Sequence, residues 1–185
     1  MILFYVIVGI VILQRLVELM IANRNADWIK AKGGYEVGEK HYKYIVFVHI
    51  GFFLSLLYEV VNFEKTILSW WWIPFLFFIL AQIGRVWSLS SLGPFWNTRI
   101  MVLPGANVVA KGPYRFMRHP NYVIVATEII TLPIIFQAYW TAIIFTLLNL
   151  VVMSIRIPEE EKALMNVTDY NNTFMGRYRF FPKFK

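Results

Sequence analysis

Hydrophobic positions in this chain come in long runs, with neither the alternation of a half-buried strand nor the narrow stripe of a soluble helix. Four runs stand out: Ile2 to Ile21, Tyr44 to Phe63, Trp70 to Ser90, and a longer one from Tyr122 to Ile157. About 20 apolar residues carry an α-helix across a bilayer, so each of the first three predicts one spanning helix. The fourth is too long for one, since as a straight helix it would measure about 54 Å against a hydrocarbon core of roughly 30 Å. Pro133 and the polar patch Gln137 to Tyr139 offer a turn, which divides the run into a helical hairpin whose first arm is short for a full crossing. The expected fold is all-α and integral to the membrane, with five transmembrane helices over about 2–21, 44–63, 70–90, 122–135 and 139–157. A cytosolic loop precedes the hairpin, and a cytosolic tail with a C-terminal helix covers 158–185. No internal repeat, low-complexity segment or long linker divides the chain, so residues 1–185 are expected to form a single domain.

The polar stretches between the runs set the topology. Arg24, Lys30, Lys32, Lys40 and Lys43 follow the first run; Arg99, Lys111, Arg115 and Arg118 precede the hairpin; Arg156, Lys162, Arg177, Arg179, Lys183 and Lys185 follow it. The intervening loop near Glu64 has only Lys65, and the hairpin tip carries no charge. This asymmetry puts the N-terminus outside and the C-terminus in the cytosol, as five crossings require, and a bacterial plasma membrane is the expected location. Trp70, Trp71, Trp72, Tyr139 and Trp140 then form an aromatic belt at the outer interface. The first run has no cationic region before it and no small-residue cleavage site after it, so it reads as a retained helix.

Composition agrees, with 58% hydrophobic and 16% charged residues. The net charge of +7 is distributed as topology requires, which removes the case for a nucleic-acid partner. The chain contains no cysteine, so disulfides, thiolate metal sites and cysteine nucleophiles are excluded. His41, His49 and His119 lie in different segments without metal-ligand spacing, and no HExxH, GxSxG or P-loop occurs. The loop Ala22 to Lys43, with Gly33, Gly34 and Gly38 among charges, reads as mobile and lacks a GxGxxG pattern. Its counterpart from Leu92 to Pro120 holds Pro94, Pro104, Gly105, Gly112 and Pro113, and reads as a folded shelf. After the hairpin, RIPEEEKAL (Arg156 to Leu164) predicts a new cytosolic helix, with Pro158 in its first turn and Glu159, Glu160 and Glu161 at its positive end.

Ionisable residues inside spans are costly and normally face a bundle interior or a wet cavity. Arg15 and Glu18, three apart, predict an ion pair, and Arg85 is a partner for Glu18 or Glu128. His49 reads as a hydrogen-bonded structural histidine and Glu59 as interfacial. Two readings of Glu128 stand: a cavity-facing carboxylate that accepts a proton, or a member of a buried ion pair.

The element KGPYRFMRHPNY, Lys111 to Tyr122, joins a Gly-Pro turn, three cations and His119 to Pro120 at a helix start. From composition alone, its cations answer to membrane topology. Together with the later Arg156, Glu160, Glu161 and Leu164, however, its Gly112, Pro113, Tyr114, Arg118, His119, Pro120 and Tyr122 resemble the isoprenylcysteine carboxyl methyltransferase superfamily, which includes phospholipid methyltransferases. The likeness covers the C-terminal half, and the compact chain with its Trp96-Asn97-Thr98-Arg99 segment is similar to the small bacterial branch. It implies S-adenosylmethionine (SAM) as cofactor. Its cradle would be Ala106, Asn107, Val108, Val109, Tyr114, His119, Pro120, Asn121, Tyr122 and Glu160, with Arg156 binding the acceptor. Two tail tyrosines of the family correspond to Asn171, beside Tyr170, and to Phe174, so tail contacts depart from the pattern.

The implied activity is methyl transfer to a lipophilic acceptor drawn from the bilayer, alongside membrane lipids as the other partners. Some members of the small bacterial branch are associated with O-methylation of polyketide lipids, which points to an alkylpyrone or phenolic lipid, with Glu128 as candidate base. Carboxyl methylation of an isoprenylcysteine-like acceptor and N-methylation of a phospholipid amine are the alternatives within the superfamily. Outside it stand a membrane reductase using NADPH and a non-catalytic lipid-binding protein.

Overall fold

The computed structural model describes residues 1–183, apart from the side chains of Lys40 and His41; the expectations that fall on those two side chains and on Lys185 lie outside the described residues. The chain is mostly helical. The main helices are α1 (Ile2–Ala31), α2 (Glu39–Asn62), α3 (Trp72–Leu92), α4 (Pro120–Ile135) and α5 (Tyr139–Val167), followed by a short α6 (Tyr170–Phe174). Two strands, β1 (Tyr35–Val37) and β2 (Ile100–Val102), pair antiparallel with Tyr35 opposite Val102. Among the described residues four helices, α1, α2, α3 and α5, are long and apolar enough to cross a membrane, which makes this an integral membrane protein. Helix α4, with 16 residues, rises about 24 Å.

Two elements run further than their hydropathy predicts. Helix α1 continues ten residues past Ile21 into the stretch expected to be a mobile loop, and the rest of that stretch forms β1 and the start of α2. Tertiary contacts hold it there. Ala22, Ala26 and Ile29 are buried; Asn25 donates to the carbonyls of Gly93 and Trp96 at 3.2 and 2.7 Å; Asn97 donates to that of Ala22 at 2.9 Å. Gly34 permits the close approach, because a Cβ there would lie 2.4 Å from Ile29 Cγ2 and 2.7 Å from Val102 O. Helix α5 likewise runs straight through Pro158, where a new helix was expected. Proline removes one backbone hydrogen bond, but Arg156, Ile157 and Glu161 around it are all buried, and their packing keeps the helix continuous.

The turn between α4 and α5 falls at Phe136 to Ala138, close to its predicted place, with Gln137 at φ +56 and Ala138 N–H donating to Pro133 O at 2.9 Å. Glu59, expected at the interface, is buried instead. Its carboxylate accepts from the backbone N–H groups of Trp140 and Thr141 at 3.2 and 2.7 Å and from the Thr141 hydroxyl at 2.7 Å, capping the positive end of α5. Side chains from all five main helices form one apolar core, including Phe4, Leu56, Phe78, Leu132 and Phe145. His49 is hydrogen-bonded to the carbonyl of Ile45 one turn earlier, at 2.8 Å.

Below that core lies a charged cluster. Arg85 on α3 pairs with Glu128 on α4 and with Glu18 on α1 at 3.3 Å; Arg15 pairs with Glu18 at 2.5 Å and with Glu128 at 2.8 Å; Gln82 donates to Glu128 at 2.6 Å. Two guanidiniums and two carboxylates thus cancel in a buried setting. Removing one partner strands the others, so Arg85→Met is expected to lower stability by about 3 kcal/mol or more. The double variant Arg85→Met/Glu128→Met should lose less than the sum of the two singles, as read from thermal unfolding of the four proteins in detergent.

Candidate active site

One cleft opens between the shelf that precedes α4, the first turn of α4, the lower half of α5 and α6. It encloses about 1060 Å³ of empty space, counting its open mouth. Local chemistry explains how its walls are set. Gly112 takes φ +55 and packs so closely that a Cβ would lie 1.9 Å from Ser91 Oγ and 2.9 Å from Trp87 Nε1, so only glycine fits this turn. Pro120 starts α4, where its missing N–H costs nothing, and it is buried under the site without lining the cleft. Ala106, Asn107, Val108, Val109, Tyr114, His119, Asn121, Tyr122, Arg156 and Glu160 all line it. Residues separated by some fifty positions therefore meet in one cavity.

The centre of the cleft is a three-part relay. The Tyr122 hydroxyl donates to Glu160 Oε2 and accepts from Arg156 Nε at 2.8 Å, while Arg156 Nη2 donates to the carbonyl of Thr98 at 2.7 Å. Glu160 is thereby held beside the cavity while Arg156 is tied to the shelf. Next to it, His119 meets Glu161 Oε1 through Nε2 at 3.0 Å, and Glu161 also takes Arg179 through 3.1 and 2.6 Å bonds. Of the three adjacent carboxylates, it is Glu161 that meets Arg118 and His119 of the basic element and Arg179 of the tail. Tyr114 and Tyr170 are both pushed up from the ordinary tyrosine range, first by burial and then by the carboxylates of α5, so both remain protonated donors. Asn121 Nδ2 donates to the Tyr114 hydroxyl at 2.8 Å, which leaves its buried Oδ1 without a hydrogen-bond partner among the described residues; the same is true of Arg99 Nε.

Glu128 is the exception among the expected site residues. It does not line the cleft; both its oxygens accept from Arg85, Arg15 and Gln82 in the ion cluster. Of its two readings the geometry carries the ion pair, because both oxygens are engaged in the cluster and the residue lies outside the cleft lining. Conversely, the tail contributes more than its sequence promised. Tyr170 and Phe174 line the cleft, the Tyr170 hydroxyl lies 3.4 Å from His119 Nε2, and Asp169 accepts the backbone N–H of Val108 and the Thr173 hydroxyl, each at 2.8 Å. Arg99 and Arg118 also border the cavity. The buried aromatic pair at 170 and 174, one helical turn apart, is a signal that could have found this wall.

With this geometry in hand, likeness to known proteins is informative. The isoprenylcysteine carboxyl methyltransferase (ICMT) family matches residues 72–166, from the start of α3 to the end of α5. This chain belongs to the ICMT family. It is 45% identical to the uncharacterized protein YpbQ of Bacillus subtilis over 87% of this chain and 96% of that protein. It is 26% identical to an uncharacterized protein of Haemophilus influenzae over 83% of this chain and 90% of that one. ICMT membership implies a membrane methyltransferase. The ICMT match ends before Tyr170 and Phe174, which line the cleft in this member, and before Asp169, which ties to the lining residue Val108.

Two outcomes follow from the geometry of the walls. Gly112→Ala should cost about 1–3 kcal/mol through strained backbone and displaced Ser91, visible as a lowered unfolding temperature. Asp169 is held below the ordinary carboxyl range, chiefly by the Val108 N–H and then by Thr173. Its folded value being the lower one, the tie to Val108 persists above the unfolded value of about 4 and is lost as pH falls through the folded one. Protection of the Val108 amide, measured as exchange relative to its intrinsic rate at each pH, should therefore fall in acid, and Asp169→Asn should leave that protection low and independent of pH across the range.

Proposed function

We propose that this protein is a SAM-dependent membrane methyltransferase for a lipophilic acceptor, with O-methylation of an alkylpyrone or phenolic lipid as the preferred chemistry. The observation that carries the reading is the convergence of the Tyr122, Glu160 and Arg156 relay with the Ala106 to Val109 segment in one cleft of a chain from the ICMT family. The residues present fit SAM. Glu160 offers charge complementarity to an ammonium and a sulfonium, Tyr114, Tyr122, Tyr170 and Phe174 offer aromatic faces to cations, and the partnerless Asn121 Oδ1 is an acceptor waiting for a donor. Val108 would contribute through its side chain or carbonyl, since its N–H is already given to Asp169. When bound, SAM supplies an electrophilic methyl group.

What the chain itself must do is position and exclude water. Arg156 is fixed by Tyr122 and Thr98, and among the described residues no hydrogen bond engages its Nη1, which suits it to orient an acceptor oxygen. His119, locked to Glu161, and Pro120 beneath it keep the α4 terminus from shifting, so the acceptor and cofactor sites keep their alignment. Arg99, Arg118 and Arg156 border the cleft; Glu36 answers Arg99 at 3.3 Å and Glu161 answers Arg118 at 3.6 Å, so Arg156 is the guanidinium left to meet an acceptor beside Glu160. That guanidinium favours an acceptor that is anionic when it reacts over a choline-like amine. An acidic enol such as a pyrone loses its proton in water and needs no base, and an isoprenylcysteine-like carboxylate meets the same requirement; a phenolic lipid, with a pKa of about 10, is the poorer acceptor of the preferred pair because Glu128 is spent on its ion pair. In this proposal the α4 and α5 hairpin supplies the fourth and fifth crossings, with the N-terminus outside, the C-terminus in the cytosol and the bacterial plasma membrane as location.

Isothermal titration in detergent tests the cofactor. Glu160→Ala is expected to weaken SAM binding by about 10- to 100-fold, the worth of a charge-assisted contact, and unchanged affinity would reject the assignment. Arg156→Lys should raise the acceptor KM while SAM affinity is retained. Incubation with methyl-labelled SAM and a membrane-lipid extract, followed by mass analysis of the labelled product, identifies the acceptor; a labelled amine headgroup would refute the anionic choice.

A further inference from the structure

The last described residues form a strap whose outer face suits neither bulk water nor a protein core. Its backbone is fastened along the segment that leads into α4. Arg118 N–H donates to Tyr178 O at 3.1 Å, His119 N–H to Arg179 O at 3.0 Å, and Lys183 N–H to Phe116 O at 3.0 Å. Yet Tyr178 is 61% exposed and Phe181 73%, with Phe180 exposed between them. Phe116 lies against Trp87, ring centroids 6.4 Å apart, and Trp87 is itself an exposed ring on α3, a helix apolar enough to cross a membrane. The strap thus ends beside the lipid-facing side of the bundle.

Charge is equally one-sided there. Residues 108–119 and 174–183 contain Lys111, Arg115, Arg118, Arg177, Arg179 and Lys183 and no Asp or Glu. Glu161 answers Arg179 and Arg118, whereas Lys111, Arg115 and Lys183 are exposed. Exposed aromatic rings among cations, at the foot of a membrane helix, match the chemistry of an anionic headgroup layer, which accepts rings at its apolar boundary and cations at its phosphates.

We propose that the strap docks on an anionic bilayer surface, with Tyr178, Phe180 and Phe181 at headgroup level and Lys183, Arg115 and Lys111 against lipid phosphates, and that docking steadies the cleft wall behind it. The connection runs through two short sets of hydrogen bonds. Arg177 Nη1 donates to the carbonyl of Tyr114 at 2.9 Å, and Arg179 holds Glu161, which holds His119. A strap pinned to lipid therefore keeps two cleft residues in place. This proposal needs no identity for the cofactor or the acceptor.

The absence of native cysteine makes a single-site probe possible. The full chain carrying Phe181→Cys, labelled with an environment-sensitive fluorophore, is placed in nanodiscs of brominated phosphatidylcholine with or without phosphatidylglycerol. Strong quenching is expected in the anionic discs and little in the neutral ones, and adding Lys183→Gln should lower the docking equilibrium constant about fivefold, the worth of one cation near such a surface. Equal quenching in both discs overturns the anionic assignment, and none in either overturns docking and leaves the face to a soluble partner. Amide exchange on the unaltered chain checks the connection to the cleft: Arg118 and His119 should exchange more slowly in anionic discs. Equal exchange there overturns the steadying role.

Discussion

A cluster of largely buried, mutually paired charges holds this molecule in register. In lipid, apolar side chains gain nothing by leaving the solvent for one another, so helix faces are selected by close packing and by polar contacts that must be satisfied. The cluster of Arg15, Glu18, Arg85 and Glu128 does this where α1, α3 and α4 meet. It fixes the rotation of α4. Asn121 lies seven residues, about two turns, before Glu128 and hence on nearly the same face. Once Glu128 is locked to α3, the first turn of α4 has little choice about which side chains it presents to the cleft.

The other wall owes its precision to α5. A single helix begins under the Glu59 cap, crosses the apolar core and continues through Pro158 to Val167. Arg156 and Glu160, four apart, share one face and meet Tyr122 from the same side, while Glu161, one position on, reaches His119. Had the helix broken at Pro158, a hinge would separate the arginine from the glutamate. Continuity makes the depth of the membrane core and the geometry of the cleft one mechanical unit.

The shelf and the tail are tied by modest, numerous bonds. Gly105 N–H reaches Val167 O at 2.9 Å, Val108 reaches Asp169, and Arg118 reaches the tail through both its backbone and its guanidinium. These lie at the cytosolic end in the proposed topology, where water competes and each bond is worth about 1 kcal/mol. The cleft therefore pairs a wall built on long apolar helices with one built on a shelf and tail held by individual hydrogen bonds.

The membrane class, the places of the apolar helices, the turn near Phe136 and ten of the twelve expected site residues as cleft lining were legible in the chain, because hydrophobic runs and short motifs are local signals. Pro120 belongs to the same turn beneath the cleft, whereas Glu128 could be placed only once α1 and α3 supplied its partners. The same holds for Glu59, whose capping role depends on Thr141, 82 positions away. Hydropathy ended α1 near Ile21 and suggested a break at Pro158 because it registers solvent preference, not packing; Asn25, Asn97 and the buried face around Arg156 carry both helices onward. Sequence alone thus determined what the chain is made to sit in and many of the residues that line its cleft. Only tertiary structure decided which carboxylate lines the cleft and which is spent on an ion pair, since that choice is made by distant partners that no local pattern encodes.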